Sequence, residues 1–367
     1  MIKIFDRYVF AELMKPFLAG VSISVVTLVA NAFFFYLKLV NDTNLPWASA
    51  MRLFLFQIPA WIVLAFPMGY LFSSLIVVGR MSKDHELTAF QSCGVSLIRC
   101  SVTTLGVSVL VSLGALFINE TITPRANYQS KMIYIDMATN PKIMPIKERT
   151  FFDTKENKKY MYIDSINKET GLFRNIFIFD SKDDAYPKII KAKKGIRRGD
   201  KIVLNEGFLK KYSKQGYVNY ELEFKEMEIS MDFSSNIRFQ TQKDVTDLDY
   251  FASKELIEKK ESEVQGNPDR LKELNEKKVF HYNKLSLPFA TFFVTILSIP
   301  IGMLFVKRSL FLGLAICIAI IFVWNISFQL SSALGKTGTL DPLLASWIQN
   351  IVFAIAGTPL FIYLSKK

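Results

Sequence analysis

The 367-residue chain is poor in the side chains that most soluble enzymes use for chemistry. It has two histidines, His85 and His281, and three cysteines, Cys93, Cys100 and Cys317. His85-Glu86 opens like the H-E-x-x-H of a zinc protease, but the second histidine position is Ala89. Gly335-Lys336-Thr337 ends like a phosphate-binding loop, but the first glycine of such a loop would fall at Leu330. Work against a gradient would therefore draw on ATP hydrolysed by another chain, and no cofactor is expected. Residues 119–282 contain no cysteine, which excludes a disulfide scaffold there and argues against a metal site. Charge is scarce too: 21% of residues are charged against 50% hydrophobic, with 32 phenylalanines, a balance foreign to a soluble domain of this length.

What is present is apolar sequence in long runs. Residues 17–37, 53–78, 101–118, 285–306, 310–334 and 343–364 are free of charged side chains. Each reaches the roughly 18 residues of a spanning candidate, so the chain reads as an integral membrane protein with six spans. The polar residues inside the runs, Asn31, Gln57, Asn325, Gln329, Gln349 and Asn350, are all neutral. They suit hydrogen bonds between helices and leave out an ion relay of linked carboxylates. Pro59, Pro67, Pro288 and Pro300 mark bends in the second and fourth spans.

The formal net charge of +12 does not point to nucleic acid, because of where the charges lie. Lys3, Arg7, Lys15, Arg80, Lys83, Arg99, Lys307, Arg308, Lys366 and Lys367 all fall on one side of a six-span topology. The short loops of the other side carry only Lys38, Arg52 and Lys336. The positive-inside rule then places both termini in the cytoplasm and residues 119–282 outside. Ala30-Asn31-Ala32 resembles a signal cleavage site, but the apolar run continues through Phe33–Leu37, so the span is expected to be uncleaved. Ile4, Phe5, Tyr8, Val9 and Leu13 recur at helical spacing before it, which predicts an interfacial helix that bends into the first span near Pro16.

One polar stretch, residues 79–94 (GRMSKDHELTAFQSCG), sits between the second and third spans. Ser82 is a suitable N-cap, Asp84 and Glu86 would fall in the first turn, Leu87 and Phe90 share a face, and Gly94 is a natural stop. The stretch is either a solvated connection or a coupling helix by which a soluble partner moves the spans.

Between the third and fourth spans the pattern changes. Residues 159–166, 172–179, 201–205 and 217–229 are rich in β-branched and aromatic residues and partly alternate, with turn signals between them. They predict a β-sandwich, jelly roll or open barrel of about 100 residues. Residues 247–264 alternate in charge and read as an exposed helix; after Gly266-Asn267-Pro268 a second helix runs through His281 and Lys284 into the fourth span. His281 is expected at the surface or as a cap.

In this order of parts the chain resembles the LptF/LptG permeases of lipopolysaccharide export. The resemblance rests on Phe5-Asp6-Arg7-Tyr8, on residues 86–94 (ELTAFQSCG), on residues 284–290 (KLSLPFA), on Ile299-Pro300-Ile301-Gly302, and on residues 335–342 and 347–350. It implies an α-helical integral membrane protein with six transmembrane helices (3+3) and an inserted extracytoplasmic β-jellyroll-like domain. The divisions would be 1–120, with the coupling helix at 80–94; 121–245 for the jellyroll; 246–282 for a helical connector; and 283–367. It also implies a cytoplasmic ABC ATPase dimer that grips Asp84, Glu86, Leu87, Phe90 and Gly94. The further partners would be a second LptF/LptG-type permease, periplasmic jellyroll bridge proteins, lipopolysaccharide and membrane lipid. Lys38, with Phe34 and Phe35 before it, would meet the lipid's phosphates and acyl chains, unless it simply snorkels to water. Similar permeases carry a neighbouring basic residue where this chain has Ala32, which leaves Arg52 or the partner permease to complete the site. Ile176, Ile178, Leu222 and Phe224 would line a lipid groove in the β-domain, with Phe177, Glu221 and Glu223 facing away. The alternative is a membrane subunit that transmits the ATPase stroke to an external partner without carrying lipid.

Overall fold

The computed structural model describes residues 4–43, 46–94, 96–139, 151–154, 159–167, 171–180, 188–198, 201–212, 217–230, 243–263, 268–306 and 309–365. Helices α1 (Ile4–Thr43), α2 (Trp47–Lys83), α3 (Glu86–Ser92), α4 (Leu97–Phe117) and α5 (Thr123–Thr139) come first. Strands β1 (Phe151–Thr154), β2 (Lys159–Asn167), β3 (Leu172–Asp180), β4 (Lys188–Arg198), β5 (Lys201–Tyr212) and β6 (Val218–Ser230) follow. The chain closes with α6 (Tyr250–Glu263), α7 (Pro268–Ile301), α8 (Leu310–Thr337) and α9 (Pro342–Ser365). Among the described residues six helices are long and apolar enough to cross a membrane, three before the strands in sequence and three after.

The chain divides into two compact units. The first holds residues 1–32, 56–128 and 243–367. Its core lies around α2 and α7, whose most apolar stretches are 67% and 61% buried, against 11% for α1 and 22% for α8. Small polar side chains tie these helices where a lipid environment offers no competing water. Tyr70 donates to the Thr104 carbonyl at 2.7 Å, Ser73 to the Leu13 carbonyl at 2.6 Å, and the Ser74 and Ser298 hydroxyls lie 2.6 Å apart. Asn350 Nδ2 donates to the Ser286 carbonyl at 2.8 Å, joining α9 to α7 as expected of an intramembrane asparagine. Asn325 instead bonds to Ile321 of its own helix.

Two expectations are corrected here. The N-terminal segment does not lie apart as an interfacial helix: α1 is one helix of 40 residues with Pro16 inside it, and Val9 and Leu13 are buried in the protein core. Nor is His281 a surface residue. It is buried, its Nδ1 lies 2.8 Å from Ser253 Oγ, and its ring stacks on Tyr250 at 4.3 Å. These contacts fasten α6 to α7. Lys284 beside it donates to the Leu248 carbonyl.

The second unit holds residues 33–55 and 129–242. Its sheet is an antiparallel meander in the order β1-β2-β3-β4-β5-β6, so every neighbour in space is a neighbour in sequence. One row of paired residues, Ile163, Ile176, Ala192, Gly207 and Phe224, points into the core. Three residues along each strand, a second row formed by Ile166, Phe173, Gly195, Leu204 and Met227 points the same way. A regular strand would turn residues three apart to opposite faces. Between the rows Asn175 and Glu206 take left-handed backbone conformations, φ 49° and 53°, which bend the sheet and reset its alternation.

Candidate functional site

Three groups of residues carry the functional expectations. The first is at α3. Gly94 has φ 81°, so the glycine ends the helix in the left-handed conformation that its missing Cβ permits. The expected start is corrected: Ser82 is not the N-cap. It belongs to α2, which runs to Lys83, and its hydroxyl reaches the Met303 carbonyl at 3.4 Å. α3 begins at Glu86 after His85, a non-glycine residue at φ 58°, and Asp84 is exposed in the intervening turn. The chain thus turns sharply between α2 and α3 rather than continuing as one rod.

The packed side of α3 rests on α1. Leu87 is buried in a cluster with Val9, Leu13, Val77, Val78 and Met81. The Phe90 ring meets Phe5 edge-on at 4.8 Å and Tyr8 at 6.5 Å, favourable aromatic spacings. Glu86 Oε2 accepts from the Tyr8 hydroxyl at 2.9 Å. Ion pairs brace the neighbourhood: Arg80 with Glu12 and Arg99 with Asp6, each at 2.6 Å, while Asp6 also accepts from Thr103 at 2.7 Å. Thr88, Ala89 and Gln91 remain exposed, so α3 has one packed face and one open face.

The second group lies where α1 and α2 approach their shared connection. Phe34 and Phe35 are 72% and 59% exposed, and Lys38 and Arg52 are exposed. Beside them Tyr36 is buried, hydrogen-bonded to Tyr134 and packed edge-on against Phe54 at 5.8 Å. The third group is in the sheet. Ile176 and Phe224 stand in one inward row, and Ile178 and Leu222 in the next row of the same face. Ile176 and Ile178 are fully buried, whereas Leu222 on strand β6 is 52% exposed. Phe177, Glu221 and Glu223 point to the other face and are exposed.

Sequence reasoning had singled out α3 but not what holds it. Phe5 and Tyr8 read there, with Ile4, Val9 and Leu13, as the apolar stripe of an interfacial helix. A signal was available: acidic and aromatic residues at helical spacing, opposite the basic and aromatic residues of the 79–99 stretch.

Taken together, six membrane-capable helices, a short open-faced helix between the second and third, and a β-sheet that falls in sequence between two groups of three describe a multi-span membrane protein with an inserted β-domain. Residues 7–366 match the family described as lipopolysaccharide export system permease LptF/LptG, and the chain belongs to that family. It is similar to the lipopolysaccharide export system permease protein LptF of Escherichia coli strain K12, with 20% identity over 364 residues, covering 95% of this chain and 91% of that protein. The protein of the same name in Shigella flexneri shows the same identity and coverage.

Proposed function

We propose that this chain is the permease subunit that extracts lipopolysaccharide from the bacterial inner membrane, with both termini cytoplasmic and the β-sheet periplasmic. A separate cytoplasmic ABC ATPase dimer hydrolyses ATP and grips α3. A second LptF/LptG-type permease completes a lipid cavity, and the inward face of the sheet, acting as a jellyroll-like groove, passes the lipid to periplasmic jellyroll proteins. The carrying observation is the two-faced α3: seven residues, turned off α2 at His85 and stopped at Gly94, packed inward through Leu87 and open outward. A helix that only connected two spans would have no need of so specific a seat. Asp84 and Glu86 offer a basic groove on the ATPase an acidic contact.

Lipid carriage is tested with photocrosslinkers in the reconstituted complex. Probes at Ile176, Ile178, Leu222 and Phe224 are expected to trap glycolipid more than probes at Phe177, Glu221 and Glu223. Leu222 should react first, since it is already exposed, and Ile176 only during turnover. Failure of both sets during active ATP hydrolysis would overturn lipid carriage and leave force transmission to an external partner.

A further inference from the structure

We propose that α1 is the lever through which the coupling helix acts. Phe5 and Tyr8 are the positioning residues that seat α3 on its short arm, and the contact of Gly20 with Gly69 is the fulcrum. The proposal rests on the coupling role assigned to α3 above.

The joints at the two ends of α3 direct any push across the helix rather than along the chain. His85 at φ 58° interrupts the path to α2, and Gly94 at φ 81° interrupts the path to α4. A displacement of α3 therefore passes through its packed face, where Phe5, Tyr8 and Val9 of α1 meet Phe90, Glu86 and Leu87, and where Leu87 also meets Val77, Val78 and Met81 of α2. This end of α1 is also held by core burial of Val9, Leu13 and Phe17, by the Ser73–Leu13 and Thr103–Asp6 hydrogen bonds, and by the pairs Arg80–Glu12 and Arg99–Asp6, whose basic partners are 40% and 37% exposed. Half-exposed ion pairs are weak and yield readily.

Farther along, α1 touches α2 backbone to backbone. A Cβ placed on Gly20 would lie 2.9 Å from Gly69 Cα, and one on Gly69 would lie 2.7 Å from the Val21 nitrogen. Two helices that cross so closely at small residues can rotate about the crossing with little change in packing. Beyond it, none of residues 21–32 is fully buried; one face, which includes Val21, is half-buried, so the far arm is held more lightly than the short one. The same helix runs on to Phe34, Phe35 and Lys38. At 1.5 Å per residue the arms from Phe5 to Gly20 and from Gly20 to Ala32 are about 22 and about 18 Å, so a shift at α3 would reach the end of the far arm within this unit at similar size and opposite sign.

The test uses the permease reconstituted with its ATPase and partner permease. Phe5→Ala with Tyr8→Ala should leave ATPase association intact while lipid released per ATP falls about fivefold or more, as expected when a coupling contact is lost. Tyr8→Phe, which keeps the ring and loses the Glu86 bond, should fall between. A spin label at the exposed Val26 should change mobility on ATP binding in the parent and not in the double variant. In a background with Cys93, Cys100 and Cys317 replaced, Phe5→Cys and Phe90→Cys joined by a short bifunctional thiol reagent should transport at the parental ratio, because the two helices move together. Loss of transport on cross-linking, a parental ratio in the double variant, or loss of ATPase association in it would each overturn the lever. If Glu86→Ala leaves association and coupled hydrolysis unchanged, it is the coupling role of α3 itself that fails.

Discussion

Glu86, Leu87 and Phe90 are already engaged by Tyr8, by the α1–α2 core and by Phe5, whereas Phe34, Phe35, Lys38 and Arg52 stand exposed on their helices. Among the described residues neither Lys38 nor Arg52 forms an ion pair. The difference separates two kinds of site. Where side chains interlock, moving one moves the rest, and the cluster transmits displacement. Where a cation and aromatic rings are left open at a helix end, the cluster is free to meet something outside the chain, which under the proposed function is an anionic amphiphile. The rings need not be rearranged to receive it. The held ring of Tyr36 behind them, against which Phe35 packs edge-on at 5.4 Å, helps to fix the local geometry.

The comparison breaks most visibly at Leu87. Leu87→Ala removes a buried side chain and should cost about 2–5 kcal/mol, read as a lowered melting temperature of the purified permease and easier proteolysis at residues 84–94. Glu86→Ala should weaken ATPase association by about 2 kcal/mol when the contact is buried, with membrane insertion unchanged. Glu86→Gln sharpens the point, since it keeps an acceptor for Tyr8 and removes only the charge; pull-down of the ATPase by the two variants separates the roles. Lys38→Glu should reduce glycolipid co-purification about fivefold, in line with roughly 1 kcal/mol per basic residue at an anionic headgroup layer. Lys38→Arg should be milder. Equal lipid retention in Lys38→Glu and the parent would mean that Lys38 only snorkels. The smallest effect is expected at Asn350→Leu, about 0.6 kcal/mol, because an intramembrane hydrogen bond loses much of its worth to alternative partners in the unfolded reference. A thermal shift in detergent would show it, with no change in lipid or ATPase binding.

The six spans were legible because an uncharged run of spanning length has few other uses. The α3 region was legible in composition and in its glycine stop, but not in its start. Ser82 has the chemistry of an N-cap, yet the apolar register of α2 carries through Met81 and prolongs that helix to Lys83. Strand β4 was missed for a different reason. Its sequence, KIIKAKKGIRR, has too many lysines to look like a central strand, yet it lies between β3 and β5 with Ile190 and Ala192 inward and Lys191, Lys193 and Lys194 outward. The same overlap of helical spacing with several fates misled the reading of α1. Val9 and Leu13 at i and i+4 describe a buried face as well as they describe a face lying on lipid. The sheet positions Ile176, Ile178, Leu222 and Phe224 share a face because all four lie on one side of the bend. Phe173, on the other side, would have been assigned outward by simple alternation and is 2% exposed.

That bend acts as a change of phase written across five strands at once. On either side of it the sequence obeys a two-residue code, but the two codes are out of step, and Asn175 and Glu206 are where the mismatch is absorbed. A one-residue deletion elsewhere in β3 or β5 would turn half a strand inside out against its neighbours. A deletion at the bend would instead bring that one strand into a single unbroken code while its neighbours kept theirs. A change of length is therefore best accommodated in the turns of this sheet, and the bend could be removed without mismatch only if all the strands that cross it changed together.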